Sequence, residues 1–348
     1  MIKIIAVGDI CTGDHYFNVG SGVRSCTIIH GADFLFDNIR HELSGADIVF
    51  GNLECVISDI GIDYNNIESL CFRGVPHVAN SLKKAGFNLI NIANNHILQH
   101  GIVAFQDTIS TLAQAGIDIL GLKGDDGFSS KPVKFNINGT LIGFLGYSLV
   151  KDCYCQDYIP YATSSKNEIL NDIVKLGKET DLICLSLHYG LEGMPEPSPK
   201  ERFLLEEFAD QGVDLIIGHH SHIFQPVKTY KNKIIFYSLG NFIFDLFWIE
   251  KMCNGYIAKI CIELDAIDYS LLPYTINLFM QPTYNKHDGS VMSELYLYND
   301  EYEYMNEYSN FETSLFFKKI IYIFQHFLYG KTLLKCKFLV NKVLFKWK

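Results

Sequence analysis

The sequence predicts an α/β fold, in which buried strands alternate with helices along the chain. Three observations support this class. Short apolar runs, such as residues 2–7 and 214–218, stop at a glycine or a polar residue, as strands covered on both faces do. Segments with apolar residues at helical spacing separate several of these runs. With 348 residues, 48% of them hydrophobic and 20% charged, the chain is long enough for one large folded domain with an appendage.

The first half of the chain alternates strands with helices and then forms a hairpin. Apolar runs predict strands at residues 2–7, 46–50, 88–93 and 117–120. Apolar residues on one helical face predict helices at residues 33–43, 77–86 and 102–115. A glycine marks the end of the second and third of these helices, Gly86 and Gly116 respectively. Residues 132–149 alternate around Asn138-Gly139, a dipeptide typical of a tight hairpin turn.

The second half continues the alternation. The same patterns predict strands at residues 181–187, 214–218 and 233–239 and helices at residues 166–178 and 200–211. Residues 255–264 alternate apolar with other residues, which predicts a strand of a second sheet. Beyond Pro273 the pattern weakens, and the tail from Phe316 combines lysines with apolar residues at loosely helical spacing.

Composition narrows the class of protein. The net charge of −10 argues against a general nucleic-acid binder, because phosphate neutralisation needs clustered cations. Ten cysteines without a C-x-x-C pair indicate reduced, mostly packing thiols. The N-terminus enters a strand at once and no apolar run reaches a membrane-spanning length, so we expect a cytoplasmic location. The lysine-rich segment 314–348 predicts a solvated helix face, with peripheral membrane contact as the alternative.

Polar side chains follow the ends of several predicted strands. They are Asp9, Glu54, Asn95, His188, the histidines 219, 220 and 222, and Asn241. Because ligands bind at the carboxyl ends of the strands of an α/β sheet, we expect these side chains to line one edge. Each also has an ordinary explanation, since a strand-end aspartate often caps a turn and a histidine cluster can lie in an exposed loop.

These residue types form a mixed oxygen and nitrogen ligand set. The set lacks the thiolates of structural zinc sites and the all-oxygen shell of calcium sites. It suits Mn²⁺, Fe²⁺ or Zn²⁺, among which ligand softness does not choose. Either Asp9 or Glu54 is placed to bridge two cations. The sequence therefore predicts one or two divalent metal ions.

Six motifs occur in order along the chain: Val7-Gly8-Asp9, Gly51-Asn-Leu-Glu54, Ala93-Asn-Asn-His96, His188-Tyr-Gly190, Gly218-His-His-Ser-His222 and Tyr237-Ser-Leu-Gly-Asn-Phe242. In order and spacing they resemble the poly-γ-glutamate capsule-synthesis family, the CapA-like proteins, over roughly residues 2–245. That family resembles the calcineurin-like metallophosphoesterases. The resemblance implies a four-layer α/β/β/α sandwich over residues 1–290, followed by a short helical, lysine-rich extension over residues 291–348.

The resemblance also implies roles for individual residues. The metal ligands would be Asp9, Glu54, Asn95, His188, His220 and His222. Glu54 would take the bridging position, and His96 would stabilise or protonate the leaving group. Arg73 would contact a phosphate or carboxylate of the substrate, although an ion pair with a local carboxylate explains it equally well.

The chain departs from the related patterns at two positions. Cys11 stands where metallophosphoesterases have a histidine ligand, and CapA-like proteins generally lack this histidine too. Asp14 and His15 are the nearby residues that could replace it as a ligand. Gln99 stands near the place of an aspartate that usually follows the Asn-Asn-His motif, so the resemblance leaves open which residue supports the metal ligands there. The family's extracellular members also carry an N-terminal membrane anchor, for which this sequence shows no pattern.

The expected function is metal-assisted hydrolysis or transfer at a phosphate or amide-type bond, in the synthesis or processing of a capsule or another surface polymer. The partners would be an anionic polymer or phosphorylated substrate and the machinery of polymer synthesis, with no nucleic acid. Two alternatives stay open. One is a non-catalytic assembly subunit with a reduced metal site, and the other is a general phosphodiesterase or nucleotidase.

Overall fold

Two β-sheets packed face to face form the centre of the molecule. The structure is a computed structural model that describes residues 1–125, 127–155, 158–263, 266–285, 298 and 300–345, the last six by backbone alone. Among these residues, no helix is long and apolar enough to cross a membrane.

The first sheet has eight strands in the order β16-β15-β14-β1-β2-β5-β6, with β13 also paired to β1. Its strands are β1 (Ile2–Ile10), β2 (Ile48–Leu53), β5 (Leu89–Asn91), β6 (Asp118–Leu120), β13 (Asn241–Ile243), β14 (Asn254–Glu263), β15 (Ala266–Ile276) and β16 (Pro282–Tyr284). Strands β1, β2, β5 and β6 run parallel to one another, whereas β14 to β16 form an antiparallel extension beside β1.

The second sheet has six strands in the order β11-β12-β10-β9-β8-β7. Its strands are β7 (Val133–Ile137), β8 (Thr140–Ser148), β9 (Leu182–His188), β10 (Leu215–His219), β11 (Val227–Tyr230) and β12 (Lys233–Phe236). A separate small sheet pairs β3 (Val56–Ile57) with β4 (Arg73–Gly74). The predicted hairpin at Asn138-Gly139 is confirmed between β7 and β8, where both residues have the positive φ values, 53° and 88°, that this turn requires.

Eight helices of the described chain accompany the sheets. They are α1 (Val23–His30), α2 (Ile67–Leu70), α3 (Val78–Ala85), α4 (Gly101–Gln114), α5 (Lys166–Leu176), α6 (Pro199–Gln211), α7 (Glu301–His326) and α8 (Thr332–Phe345). The capping boxes at Ser165 and Ser198 explain why α5 and α6 begin where they do, since each serine accepts a hydrogen bond from the backbone of the third helical residue.

Alternate residues of each strand face opposite layers. In β1, Ile4 and Ala6 face the core between the sheets, where they join Phe144 and Ile217 of the second sheet, whereas Ile5 and Val7 belong to the core with α3 and α4. The outer face of the second sheet packs against α5 and α6 in a third cluster. The layers are therefore helix, sheet, sheet and helix, which confirms the four-layer α/β/β/α sandwich.

Two sequence predictions about elements are wrong. The helix predicted at residues 33–43 is a pair of 3₁₀ turns, Ala32–Phe36 and Arg40–Leu43. Leu35, Ile39 and Leu43 are fully buried, as their apolar spacing indicated, but two short 3₁₀ turns bury them in place of one helix. The strand at residues 255–264 was expected in a second sheet. It is β14, which pairs antiparallel with β1 in the same sheet, because its alternation reflects one buried face rather than a separate sheet.

The C-terminal helices pack against the body of the molecule. Leu315 and Tyr322 of α7 are buried in the core cluster on the outer side of the first sheet. The Tyr322 hydroxyl donates a hydrogen bond to Asn18 Oδ1 at 2.9 Å. The predicted boundary between residues 290 and 291 lies outside the described residues, so the division into two domains stays a prediction.

Candidate metal centre

The strand ends of both sheets meet at one place. Asp9 lies at the end of β1, and its neighbours in the sheet are Asn52 of β2 and Asn241 of β13. Facing it, His188 ends β9 and pairs with His219 at the end of β10. The expectation of a single sheet edge was therefore wrong, because the ligand candidates come from two sheets whose ends converge.

The loop after β10 turns through its histidines. His220 has a φ of 90° and His222 a φ of 59°, a left-handed conformation that is uncommon for residues other than glycine. Gly218, in the strand that leads into this loop, is required by close packing of the backbone. A Cβ on Gly218 would lie 2.0 Å from the Tyr237 carbonyl oxygen, so only glycine allows this close approach of the two strands.

Asp9 is fully buried among donors. The Asn52 side chain donates to Asp9 Oδ1 at 2.8 Å, and the His220 backbone N–H donates to Oδ2 at 3.1 Å. His222 Nδ1 lies 3.5 Å from Oδ2 and His219 Nδ1 lies 3.3 Å from Oδ1. Burial alone would raise the pKa of Asp9, but His219, His222 and Asn52 outweigh it and hold the pKa below its usual range.

Glu54, unlike Asp9, has no hydrogen-bond donors around its carboxylate among the described residues. The carboxylate is fully buried. His188 Nε2 lies 3.5 Å and His222 Nε2 lies 3.8 Å from Oε1. Burial, with the negative charges of Asp9 and Glu192, raises the pKa of Glu54 well above its usual range. A buried carboxylate without donors is the arrangement that a cation stabilises.

The predicted ligands come together in two overlapping groups. The ligand atoms of Glu54, His220 and His222 lie within 4.8 Å of one another, as do those of Asp9, Glu54 and His188. Glu54 belongs to both groups, as a bridging ligand would. Asn95 Oδ1 lies 2.8 Å from His188 Nε2, so the sixth predicted ligand adjoins the second group. The donor set therefore fits divalent transition-metal ions.

The imidazoles are in the state that binds metal. Burial lowers the pKa of His220 to about 4, and burial with the neighbouring histidines lowers the pKa of His188 well below its usual range. Both rings are therefore neutral at physiological pH and offer a nitrogen lone pair. The Asn241 side chain supports this arrangement, because its Oδ1 lies 2.9 Å from His222 Nδ1 while its amide donates to the Met252 carbonyl.

His96 lies on the wall of a cavity of about 190 Å³ beside these ligands. Its ring stacks on Phe72 with centroids 4.2 Å apart and planes 2° from parallel. The Asn94 side chain accepts a hydrogen bond from the His96 backbone N–H at 3.2 Å, which helps to position His96. The other lining residues are His15, Tyr16, Glu192, His222, Phe244, Leu246, Trp248, Met252 and Lys319.

Comparison with known proteins identifies the family. Residues 3–246 match the model of the bacterial capsule synthesis protein family PGA_cap. The chain belongs to this family. The resemblance inferred from the six sequence motifs over residues 2–245 is thereby confirmed.

Two curated relatives of the family carry the name CapA. The capsule biosynthesis protein CapA of Bacillus anthracis is 31% identical over 257 residues, which cover 71% of this chain and 61% of that protein. The PGA biosynthesis protein CapA of Bacillus subtilis is 32% identical over 171 residues, which cover 48% of this chain and 45% of that protein. Both alignments cover less than two thirds of the relative.

Solved structures of low identity also align with the chain. A 5′-nucleotidase from Candida albicans aligns with a TM-score of 0.44 and 14% identity, over 80% of this chain and 52% of that one.

The two departures from the related sequence patterns, Gln99 and Cys11, differ in how the structure accommodates them. Gln99 takes over the orienting role, since its Oε1 lies 2.9 Å from His96 Nδ1 and its amide donates to the Tyr16 hydroxyl at 3.0 Å. An amide oxygen accepts from an imidazole N–H as a carboxylate does, so Gln99 supplies the hydrogen bond that an aspartate would give. Sequence spacing alone could have found this, as residues three apart often meet in a turn.

Cys11 is not part of either ligand group. It is fully buried, its thiol donates to the Gly13 carbonyl, and burial raises its pKa well above the usual range, so it stays protonated. Asp14 accepts hydrogen bonds from the Gly20 backbone and from the backbone and hydroxyl of Ser25. Asp14 is thus engaged in the structure of the loop, whereas His15 lines the cavity.

Arg73 lies apart from the residues that line the cavity. Its guanidinium donates to the carbonyl oxygens of Ser58 and Ile60, each at 2.9 Å, and its side chain is buried. Substrate contact by Arg73 stays a prediction, and the partners it has are backbone groups rather than the carboxylate that the alternative named. Glu192 also lines the cavity, together with His96 and His222.

Proposed function

We propose that this protein is a divalent-metal-dependent hydrolase that acts on a phosphate or amide-type bond in the synthesis or processing of a poly-γ-glutamate-like capsule or other surface polymer. The observation that supports this most strongly is Glu54, a fully buried carboxylate without donors between two histidine-containing groups. The family and the names of its CapA relatives support the biological setting.

Six side chains would hold the metal. They are Asp9, Glu54, Asn95, His188, His220 and His222. When bound, one or two ions of Mn, Fe or Zn supply Lewis-acid chemistry, which lowers the pKa of a water and neutralises charge on the substrate. Asn52 holds Asp9, and Asn241 holds His222, so the ligands are oriented before any ion binds.

His96 would handle the proton of the leaving group. Gln99 Oε1 accepts from His96 Nδ1, which leaves Nε2 for a group in the cavity. Stacking on Phe72 fixes the plane of the ring, so His96 presents this nitrogen in one direction. A ring held on two sides loses little freedom when a substrate arrives.

The metal centre is tested by comparing the thermal stability of the wild type and Glu54→Gln, each with and without metal. In chelator-treated protein, we expect Glu54→Gln to melt at the same temperature as the wild type or higher, because it removes an unpaired buried carboxyl group. On addition of Mn²⁺ or Zn²⁺, the wild type should gain about 2–3 kcal/mol of stability at a hundredfold excess over the dissociation constant. Glu54→Gln should gain little. Metal-independent melting of the wild type, with no bound metal by elemental analysis, would refute the proposal.

Two alternatives remain as outcomes of further tests. An assembly subunit without catalysis is favoured by Cys11, which stands where the phosphoesterases have a histidine and belongs to neither ligand group. It would show metal-induced stabilisation without turnover of any phosphodiester or γ-glutamyl amide. A general phosphodiesterase would cleave bis-p-nitrophenyl phosphate, and Asp9→Asn and His188→Ala would each abolish that activity. The exposed His41→Ala serves as the control.

A further inference from the structure

The C-terminal helix α7 contributes a positive charge to the cavity. Lys319 is the one lysine or arginine among the described residues that line it. The helix lies beyond residues 3–246, the part of the chain that matches the family model. The charge therefore comes from a segment outside the family's shared domain.

One face of α7 holds Lys319 in place. Phe311, Leu315 and Tyr322 lie at spacings of eight, four and three residues from Lys319, which puts all four on the same side of a helix. Phe311 packs so closely on Gly193 that a Cβ there would lie 2.2 Å from the ring. Tyr322 meets Trp248 edge to face, with centroids 5.6 Å apart. These contacts anchor the helix to loops that flank the cavity.

The ammonium group of Lys319 is held over an aromatic wall. Its Nζ lies 5.5 Å from the centroid of the Trp248 ring. It forms no ion pair with a carboxylate of the described chain, although, against the effect of burial, its charge and those of His222 and His220 lower the pKa of Glu192 in the same cavity. Burial and the charge of Lys319 together lower the pKa of His15, whose ring lies 4.6 Å from that of Trp248 between centroids. An ammonium that faces a cavity in this way is placed to receive an anion.

We propose that Lys319 binds an anionic oxygen group of the substrate, a carboxylate or a phosphate, and so positions the substrate beside His96 and the metal ligands. The inference rests on the proposed function, since the reacting bond would lie at that centre. A lysine acts as a point charge without the fork geometry of arginine, so it accepts either kind of oxyanion. Lys319 is a substrate-positioning residue, and α7 completes the site.

Fluorescence of Trp248 provides the test. Trp248 is one of two tryptophans in the chain, so a Trp347→Phe background gives a signal from the cavity wall alone. Glutarate, a dicarboxylate, and inorganic phosphate are titrated separately into chelator-treated protein. For at least one of these anions, Lys319→Met should weaken binding about tenfold, which corresponds to about 1.4 kcal/mol. The neighbouring Lys318→Met, an exposed lysine that does not line the cavity, should change it less than about twofold.

The outcomes separate the two proposals. Equal binding in Lys319→Met and the wild type, or equal loss in Lys318→Met, overturns the role of Lys319. Restoration by Lys319→Arg supports it, and the anion that loses affinity identifies carboxylate or phosphate as the group bound. Because the protein is metal-free, failure of the metal centre leaves this measurement intact. Lys319→Gln, with its melting temperature checked, replaces the methionine variant if that one is unstable.

Discussion

At the scale of single residues, the orientation of His96 depends on Gln99. The amide oxygen of Gln99 lies 2.9 Å from His96 Nδ1, and its nitrogen is held by Tyr16. Removing the acceptor in Gln99→Ala leaves Nδ1 of the half-buried ring without a partner, and we expect about a 10–100-fold loss of turnover with unchanged metal content. Gln99→Glu keeps an acceptor and should retain most activity. Gln114→Ala, on the exposed surface of α4, is the control.

A pair of buried acids near the N-terminal loop predicts a pH-dependent stability. Burial, with the charge of Asp14, raises the pKa of Asp245 to about 8. An unfolded aspartate ionises near pH 4, so between about pH 4 and pH 8 the unfolded state binds fewer protons and stability falls as the pH rises. Asp245→Asn removes this dependence and should be more stable at pH 8, by on the order of 2 kcal/mol.

Denaturant unfolding at pH 5 and pH 8 measures this difference. The asparagine keeps an oxygen that accepts from the His15 backbone N–H, so the loop loses no hydrogen bond. Asp268→Asn, an exposed acid of β15, should leave the pH profile of the wild type unchanged. A profile of Asp245→Asn as steep as that of the wild type would show that Asp245 is ionised in the folded protein at pH 5.

At the scale of elements, local patterns predicted most of the strands and the helices α3 to α6, because these follow from residues a few positions apart, whereas α1, α2 and β15 were not predicted. The 3.6-residue spacing located α3 to α6 within a few residues, and the capping serines mark two of their starts. The two 3₁₀ turns at residues 32–43 share the apolar spacing of a helix, so spacing alone does not distinguish them. Which sheet receives a strand depends on partners far along the chain, as β14 beside β1 shows.

The packing of α7 against the body of the molecule could not be predicted from local sequence patterns. Tyr322 bonds Asn18 across 304 residues of sequence. We expect Tyr322→Phe to destabilise the docked helix by about 1 kcal/mol, because it leaves the Asn18 oxygen without this donor. Hydrogen exchange of α7 should then accelerate about fivefold, while β1 exchanges as before. Tyr329→Phe, an exposed tyrosine three residues after the helix, should change neither rate.

At the scale of the whole molecule, the candidate metal ligands could be predicted from the sequence, but the shape of the cavity beside them could not. Ordered motifs gave Asp9, Glu54 and the histidines, since each ends a strand and the family pattern relates them. The cavity was not predictable, because its walls combine loops and a helix from distant parts of the chain. Lys319 and Trp248 were therefore recognised as part of the site only from the tertiary structure.

The C-terminal helices also present an apolar and basic surface away from the body. Phe324 and Leu328 are 80% and 82% exposed, although α7 packs on the body through Leu315 and Tyr322. Residues 314–348 contain eight lysines and no acid. Aromatic and aliphatic side chains beside lysines favour an anionic lipid surface, which attracts the cations and accepts the apolar groups. We therefore expect peripheral binding to anionic vesicles.

Co-sedimentation with vesicles of phosphatidylcholine containing about 30% phosphatidylserine measures this binding. The double variant Phe324→Ser and Leu328→Ser should lower the bound fraction more than tenfold, since each side chain contributes about 1.5–3 kcal/mol when buried in lipid. Phe203→Ser, which changes an aromatic residue of α6 that is 71% exposed, is the matched control. Binding should weaken as salt rises and should be absent on pure phosphatidylcholine, because the lysines need anionic lipid. Wild-type protein that stays in the supernatant at low salt would show that this face meets water or a protein instead.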